Sequence, residues 1–248
     1  MCGNLFRHTV LKDKLPIPHF PNVFPSGYIL DVGCNWGRWS IAGALAGYRV
    51  VGIDIHLRSL LVARALAERL VPHNPPLFVL ADARQMPFRA GCFSGAFSYS
   101  VIQHFSKANT ARILAEIGRV LRESGVGYIQ MPNSAGVRSF LASLSTGDAE
   151  GNEFDVRRYK IRELLEMFEL AIGESDWEPD CFFGLNVHAA DRELIALPQR
   201  WIIDASELIL ATSRKIPGLK KFADSVFVKS VKNMARQSPI GARSTNAS

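Results

Sequence analysis

The chain predicts an α/β fold, a doubly wound and mostly parallel sheet with helices on both faces. Short apolar runs alternate with stretches of helical periodicity along the first half of the chain. Most of those runs are nearly continuous in apolar residues, as strands buried on both faces are. Glycines, prolines and polar clusters fall between them, where turns are needed.

Residues 1–27 hold the proline-rich "LPIPHFPNVFPSG" and read as an extended lead-in. "YILDV" is the first strand and "GRWSIAGALAG" a helix closed by Gly47. "RVVGID" is the second strand. "LRSLLVARALAERLV" is the next helix, with Leu60, Ala63, Ala67 and Leu70 on one face, ended by Pro72, Pro75 and Pro76. "LFVLAD" and "GAFSYS" are the third and fourth strands. "NTARILAEIGRVLRESG" is an amphipathic helix capped by Asn109 or Thr110, with a stripe of Ile113, Leu114, Ile117, Val120 and Leu121 and a stop at Gly125. "VGYIQM" is the fifth strand. Residues 28–132 therefore form the core.

Beyond Pro132 the rhythm changes. Residues 133–158 are polar and glycine-containing and read as a loop or cap over the sheet. Residues 159–235 read as the rest of the same domain. They hold a helix with Ile161, Leu164, Leu165, Phe168 and Ile172 in phase, a strand-like "CFFGLNV", and a helical "PQRWIIDASELILATSRK". The alternating "SVFVKSV" fits an edge or antiparallel strand. Residues 236–248 read as a disordered tail.

Composition narrows the function classes. The 248 residues are 48% hydrophobic and 21% charged, ordinary for a soluble globular protein. No run approaches the roughly 20 apolar residues of a membrane span, and no secretory signal is visible, so a cytoplasmic setting is expected. Cys2, Cys34, Cys92 and Cys181 are scattered without close histidines, so neither a metal site nor a disulfide framework is expected. Charge is uneven: residues 214–248 carry eight Lys/Arg against Asp224 alone, while the rest carries 21 bases against 22 acids. The basic tail is either a solvated terminus or a contact for an anionic membrane surface. No RNA-binding module is recognisable, so nucleic acid is not expected as a partner. Oligomeric state is left open.

The chemistry concentrates where the first strand ends, in "DVGCNWG". Gly33 and Gly37 permit a tight turn and let a ligand lie against the backbone. Asn35 between them tolerates a left-handed backbone. The helix starting near Gly37 points free N–H groups into the same space. Asp54, ending the second strand, is placed to accept hydrogen bonds from ribose hydroxyls. The dinucleotide pattern G-x-G-x-x-G is absent, Trp36 would crowd a pyrophosphate, and Asp31 would repel phosphates while suiting a cation. Read singly, Asp31 and Asp54 are equally ordinary strand-end polar groups, Asp82 a cap or turn residue, and Trp36 and Trp39 sheet-packing residues.

The pattern Asp31-x-Gly33-x-Asn35-x-Gly37 resembles the first motif of class I S-adenosylmethionine-dependent methyltransferases, D/E-x-G-x-G-x-G, with one glycine replaced. "LADARQMPF", "FSGAFSYSVIQHFSK" and "RVLRESGVGYIQMP" are similar to the later motifs, so the likeness runs from about Tyr28 to Pro132. It implies a Rossmann-like methyltransferase fold of seven strands with an antiparallel last strand, and S-adenosylmethionine as cofactor. It also implies that Asp54 holds the ribose, that Asp82 accepts from the adenine amino group, and that the Ala83 N–H faces the ring. Asp31, Gly33, Asn35, Gly37 and Ser100, with Tyr99, complete the expected cofactor site.

Methyl transfer is a direct displacement to which a protein contributes positioning and a water-excluding site. A base is needed only where the acceptor must lose a proton. His104, just past the fourth strand, is the candidate, with a purely structural role the alternative; His188 is second. The acceptor is expected to be a small or lipid-like molecule, covered by 133–158 and 175–215, with Phe140, Leu141, Leu144, Phe182 and Phe183 lining a cavity or the core. The competing readings are an NAD(P)-dependent oxidoreductase and a non-catalytic partner protein of the same fold.

Overall fold

The computed structural model describes residues 16–139, 156–183, 189–194, 197–213, 215–216 and 218–233. Its elements are β1 (Tyr28–Val32), α1 (Arg38–Leu45), β2 (Arg49–Asp54), α2 (Leu57–Leu70), β3 (Leu77–Leu80), β4 (Phe93–Ser98), α3 (Lys107–Val120), β5 (Leu121–Pro132), α4 (Ile161–Ala171), β6 (Gly173–Cys181), α5 (Leu197–Ser213) and β7 (Ser225–Lys232). Single 3-10 turns lie at Ile102–His104, Ala189–Leu194 and Leu219–Phe222.

One seven-stranded sheet has the order β3-β2-β1-β4-β5-β7-β6. β1 to β5 run parallel, and β7 is inserted antiparallel between β5 and β6. The order reverses between β1 and β4, so a crevice opens beyond the carboxyl ends of those two strands.

The two faces of the sheet are covered differently. On one, the α3 residues Ile113, Leu114, Ile117 and Val120 are fully buried, together with Leu164 and Phe168 of α4. Each such side chain contributes roughly 1.5–3 kcal/mol. On the other, an aromatic layer replaces part of the helical cover. Phe20 and Phe24 of the proline-rich segment pack with Phe97, Tyr128 and Phe227. Trp39 of α1 joins them, its ring centroid 4.9 Å from that of Phe97. Residues 16–27 thus belong to the core packing. Arg38 Nε fixes their start by donating to the Pro16 carbonyl at 2.7 Å.

Several local expectations are corrected. α3 begins at Lys107, with the Ser106 hydroxyl accepting from the Asn109 N–H, so neither Asn109 nor Thr110 is the cap. The same helix ends at Val120, because Leu121 already has an extended backbone, and Gly125 lies inside β5. In α2 the buried face is Leu60, Ala63, Leu66 and Ala67, while Leu70 is exposed. The sixth strand is "GESDWEPDC" rather than "CFFGLNV". Only Cys181 of the latter is in the strand, Phe182 and Phe183 turn away from it, and 184–188 lie outside the described residues. β6 escaped notice because it is an edge strand. Glu174, Asp176 and Glu178 face outward, and Pro179 is tolerated where no ladder partner is required. β7 is accordingly an interior strand, not an edge.

Candidate active site

The turn after β1 is held by backbone bonds to β2. Gly33 and Cys34 N–H both donate to the Ile53 carbonyl, at 2.8 and 2.9 Å, and Gly37 N–H donates to the Cys34 carbonyl at 2.8 Å. Closing so tightly requires left-handed residues in succession, with φ of +77° at Gly33, +47° at Asn35 and +75° at Gly37. A Cβ on Gly33 would lie 2.5 Å from both Val101 methyls. One on Gly37 would lie 2.8 Å from the Phe78 ring and 2.9 Å from Ala63 Cβ. Gly37 is also the N-cap of α1, and no side chain caps the helix there. The first-turn N–H groups are therefore left for a ligand.

The two acids at the ends of β1 and β2 do different things. The Asp31 carboxyl is buried and accepts the Ser40 hydroxyl of α1 at 2.6 Å. Burial pushes it up to about 7, the Ser40 bond opposes this, and the Asp54 charge adds to it. The Asp54 carboxylate lies across the mouth of the turn. One oxygen accepts the Asn35 N–H at 3.0 Å, and the other accepts the His56 N–H at 2.9 Å. The His56 ring Nδ1 takes a third position at 3.1 Å, and a carboxylate has about four, so Asp54 keeps one for a ribose hydroxyl. The Cys34 thiol beside these acids is pushed well up by burial and by both charges, which leaves it inert as a nucleophile.

Past β3, the Asp82 carboxylate is gripped by Arg84, with Nη2 donating at 2.6 Å and the Arg84 N–H at 2.8 Å. That hydrogen bonding holds Asp82 below the usual carboxylate range. Ala83 packs half-buried against the core.

Past β4, Ser100 is left-handed, with φ +60°. Its N–H donates to Gln130 Oε1 of β5 at 3.0 Å. Gln103 Nε2 reaches Ser100 Oγ and His104 Nε2, each at 3.3 Å. An amide nitrogen only donates, so this contact assigns the acceptor role to His104 Nε2. Arg157, at the end of the 133–158 segment, donates its N–H to the Gln103 carbonyl at 3.0 Å and so runs beside His104. The Ala189–Leu194 turn is fixed on the other flank by an ion pair between the fully buried Asp191 and Arg38, the first residue of α1.

The expected residues Asp31, Gly33, Asn35, Gly37 and Asp54 thus meet around one turn. Asp82 and Ala83 sit at the neighbouring strand end, and Ser100 and His104 at the next. Phe182 is buried in the core, while Phe140, Leu141, Leu144, His188 and residues 236–248 lie outside the described residues. Ser40, Gln103 and Gln130 were not anticipated. Gln130 had a signal, being the polar residue within the apolar "YIQMP". Among the described residues no helix is long and apolar enough to cross a membrane, and no cluster of metal-ligating side chains is present.

A central β1 ending in a glycine turn, a ribose-ready acid ending β2, and an antiparallel β7 between β5 and β6 together define the Rossmann-like methyltransferase class of fold. Comparison with known proteins agrees. Residues 29–125 match the family described as "Methyltransferase domain". An O-methyltransferase of Penicillium expansum is 38% identical over 98 residues, which is 38% of this chain and 34% of that protein. The chain thus spans about a third of the length of this curated relative. An S-adenosylmethionine-dependent methyltransferase of Methanosarcina mazei has a TM-score of 0.56 at 17% identity, covering 84% of this chain and 93% of that one. The magnesium protoporphyrin IX methyltransferase of Synechocystis, solved with bound S-adenosylhomocysteine, has a TM-score of 0.56 at 14% identity, covering 93% and 84%. Residues 29–125 are thus similar to a methyltransferase domain, on a chain with the Rossmann-like methyltransferase fold.

Proposed function

We propose that this protein transfers a methyl group from S-adenosylmethionine to a hydroxyl oxygen of a small-molecule acceptor. The observation that carries the reading is the Asp54 carboxylate bonded across the Gly33–Gly37 turn, which preforms a nucleoside site. The oxygen specificity is supported by the O-methyltransferase relatives. Bound there, the cofactor supplies an electrophilic methyl on a sulfonium, and its departure leaves the electron pair on sulfur as the thioether.

In this reading Asp54 accepts from a ribose hydroxyl through its remaining position. The uncapped N–H groups of α1 take the cofactor's carboxylate. Asp82 accepts from the adenine amino group once the half-exposed Arg84 swings aside. Asp31 lies under the turn as a negative charge opposite the sulfonium. His104 takes at Nε2 the proton that the acceptor hydroxyl releases as its C–O bond forms, once the Gln103 amide that occupies that nitrogen gives way to the acceptor.

S-adenosylhomocysteine should raise the melting temperature and NAD should not, in contrast to the oxidoreductase alternative. Asp54→Asn should weaken S-adenosylhomocysteine binding at least tenfold by calorimetry, and undiminished binding would sink the ribose assignment. A library of acceptors assayed for S-adenosylhomocysteine release separates an enzyme from a scaffold. On a turned-over hydroxyl acceptor, His104→Ala should lower kcat by 10²-fold or more while leaving the Kd for S-adenosylhomocysteine within twofold. A loss confined to KM would reassign His104 to shaping the pocket.

A further inference from the structure

A buried carboxyl at the far end of the crevice has no part in the scheme above. Asp180, the next-to-last residue of β6, meets the ends of three other strands. It accepts the Ser225 hydroxyl, at the start of β7, at 2.7 Å, and the Tyr99 hydroxyl, just past β4, at 3.4 Å. The Gln130 side chain of β5 also hydrogen-bonds to it. Because β7 runs antiparallel, its first residue lies at the carboxyl end of β5. All of these groups therefore stand at the end of the sheet where ligands bind in open α/β folds. Asp180 is half-buried as a residue.

The cluster is continuous with the catalytic candidates. Gln130 joins Asp180 to the Ser100 N–H, and Gln103 joins Ser100 to His104. It lies on the β5 side of Ser100, away from the cofactor turn on the β2 side, which is the position of an acceptor rather than of adenosine.

Its electrostatics point to one kind of ligand. Every hydrogen-bonding neighbour of Asp180 is neutral, and among the described residues no lysine or arginine pairs with it. The charged group acting on it is Glu207 of α5, of like sign. Burial pushes the Asp180 carboxyl up to about 6, so it is mostly ionised at neutral pH, with no counter-charge among the described residues. A buried ion without a partner is costly, and a ligand cation relieves that cost while an anion adds to it.

We propose that Asp180, framed by Tyr99, Gln130 and Ser225, is a subsite that binds an ammonium group of the acceptor, remote from the oxygen that is methylated. It rests on the proposed function and narrows the acceptor to an amine-bearing hydroxyl compound. Acceptors carrying a carboxylate at the same place are rejected.

The test uses three phenols of matched skeleton as probes on the full chain saturated with S-adenosylhomocysteine: tyramine, neutral tyrosol and anionic 4-hydroxyphenylacetate. At pH 7.5 calorimetry should show tyramine binding at least tenfold tighter than 4-hydroxyphenylacetate, with tyrosol between. Asp180→Asn should reduce that ratio below threefold while S-adenosylhomocysteine binds as before. In the unmodified protein the ratio should also fall between pH 7.5 and pH 5, as the carboxyl protonates; this arm reads the same group should the variant not fold. Equal binding of the three probes, no binding of tyramine, or a preference that survives Asp180→Asn or pH 5 overturns the subsite. Failure of S-adenosylhomocysteine to bind at the outset overturns the methyltransferase reading instead.

Discussion

Gly33→Ala should destabilise the protein by about 2–5 kcal/mol and remove S-adenosylhomocysteine binding. Two effects add. The residue is left-handed at φ +77°, a conformation costing an L side chain roughly 1–2 kcal/mol. The new methyl would also lie 2.5 Å from both Val101 methyls, and such overpacking costs about 1–3 kcal/mol as neighbours shift. Val101 leads directly into Ile102–His104, so relief by moving Val101 displaces the segment that carries His104. Gly47→Ala is the control. It too is left-handed, at φ +91°, but a Cβ there meets nothing within 4 Å. Urea denaturation should show Gly33→Ala costing at least 1 kcal/mol more than Gly47→Ala, and only the first should lose ligand binding. Equal costs would mean that backbone strain alone, and not the packing of the turn on Val101, makes glycine necessary.

Asp31→Asn should stabilise the ligand-free protein at pH 8. Burial holds the Asp31 carboxyl at about 7 in the folded state, against an ordinary 3.8. The folded protein then binds more protons than the unfolded chain between those limits, so its stability falls as pH rises from about 4 to 7 and stays lowered above. The shift corresponds to something on the order of 4 kcal/mol. Asparagine carries no charge and keeps an oxygen to accept the Ser40 hydroxyl. Denaturation curves of the two proteins should therefore coincide near pH 4 and diverge by pH 8, with the variant more stable. Parallel curves would show that Asp31 is not held protonated.

The cofactor reverses the sign. A sulfonium at the turn favours the ionised carboxyl, as Asp54, the neighbouring like charge, does not. S-adenosylmethionine affinity should thus rise as pH climbs through 7 in the unmodified protein and stay flat in Asp31→Asn.

The parts of the fold that were legible in the sequence are those where one short stretch contains its own reason. The turn from Gly33 to Gly37 is such a case, since left-handed residues at close spacing are a local steric requirement. So is α3, whose stripe from Ile113 to Val120 follows from helical period alone. Where the reason lay elsewhere, the reading failed. Ser106 caps α3 ahead of two equally suitable residues because the chain enters the helix from the Ile102–His104 turn. β6 shows no apolar run, since its neighbour β7 supplies the pairing and solvent takes its charged face.

The candidate site divides in the same way. Asp54 was placed by strand length and spacing, and the structure puts its carboxylate on Asn35 as a consequence of β1 and β2 lying side by side. Asp31, expected simply as a charge in the approach, proved to be buried against Ser40, which changes its protonation. Nothing in the order of residues joins Tyr99, Gln130, Asp180 and Ser225.

The amino-acid order alone pointed to the doubly wound sheet and to the glycine turn, because the strand and helix periods and the left-handed residues each show within a short stretch of chain. Only the tertiary structure decided the cluster around Asp180, the proposed acceptor subsite. There a carboxyl from β6 meets hydroxyls from β4 and β7 because an antiparallel strand inserts between β5 and β6, bringing together residues up to 126 apart. Whether a buried charge is balanced or left waiting for a partner depends on those distant neighbours, and no local pattern records it.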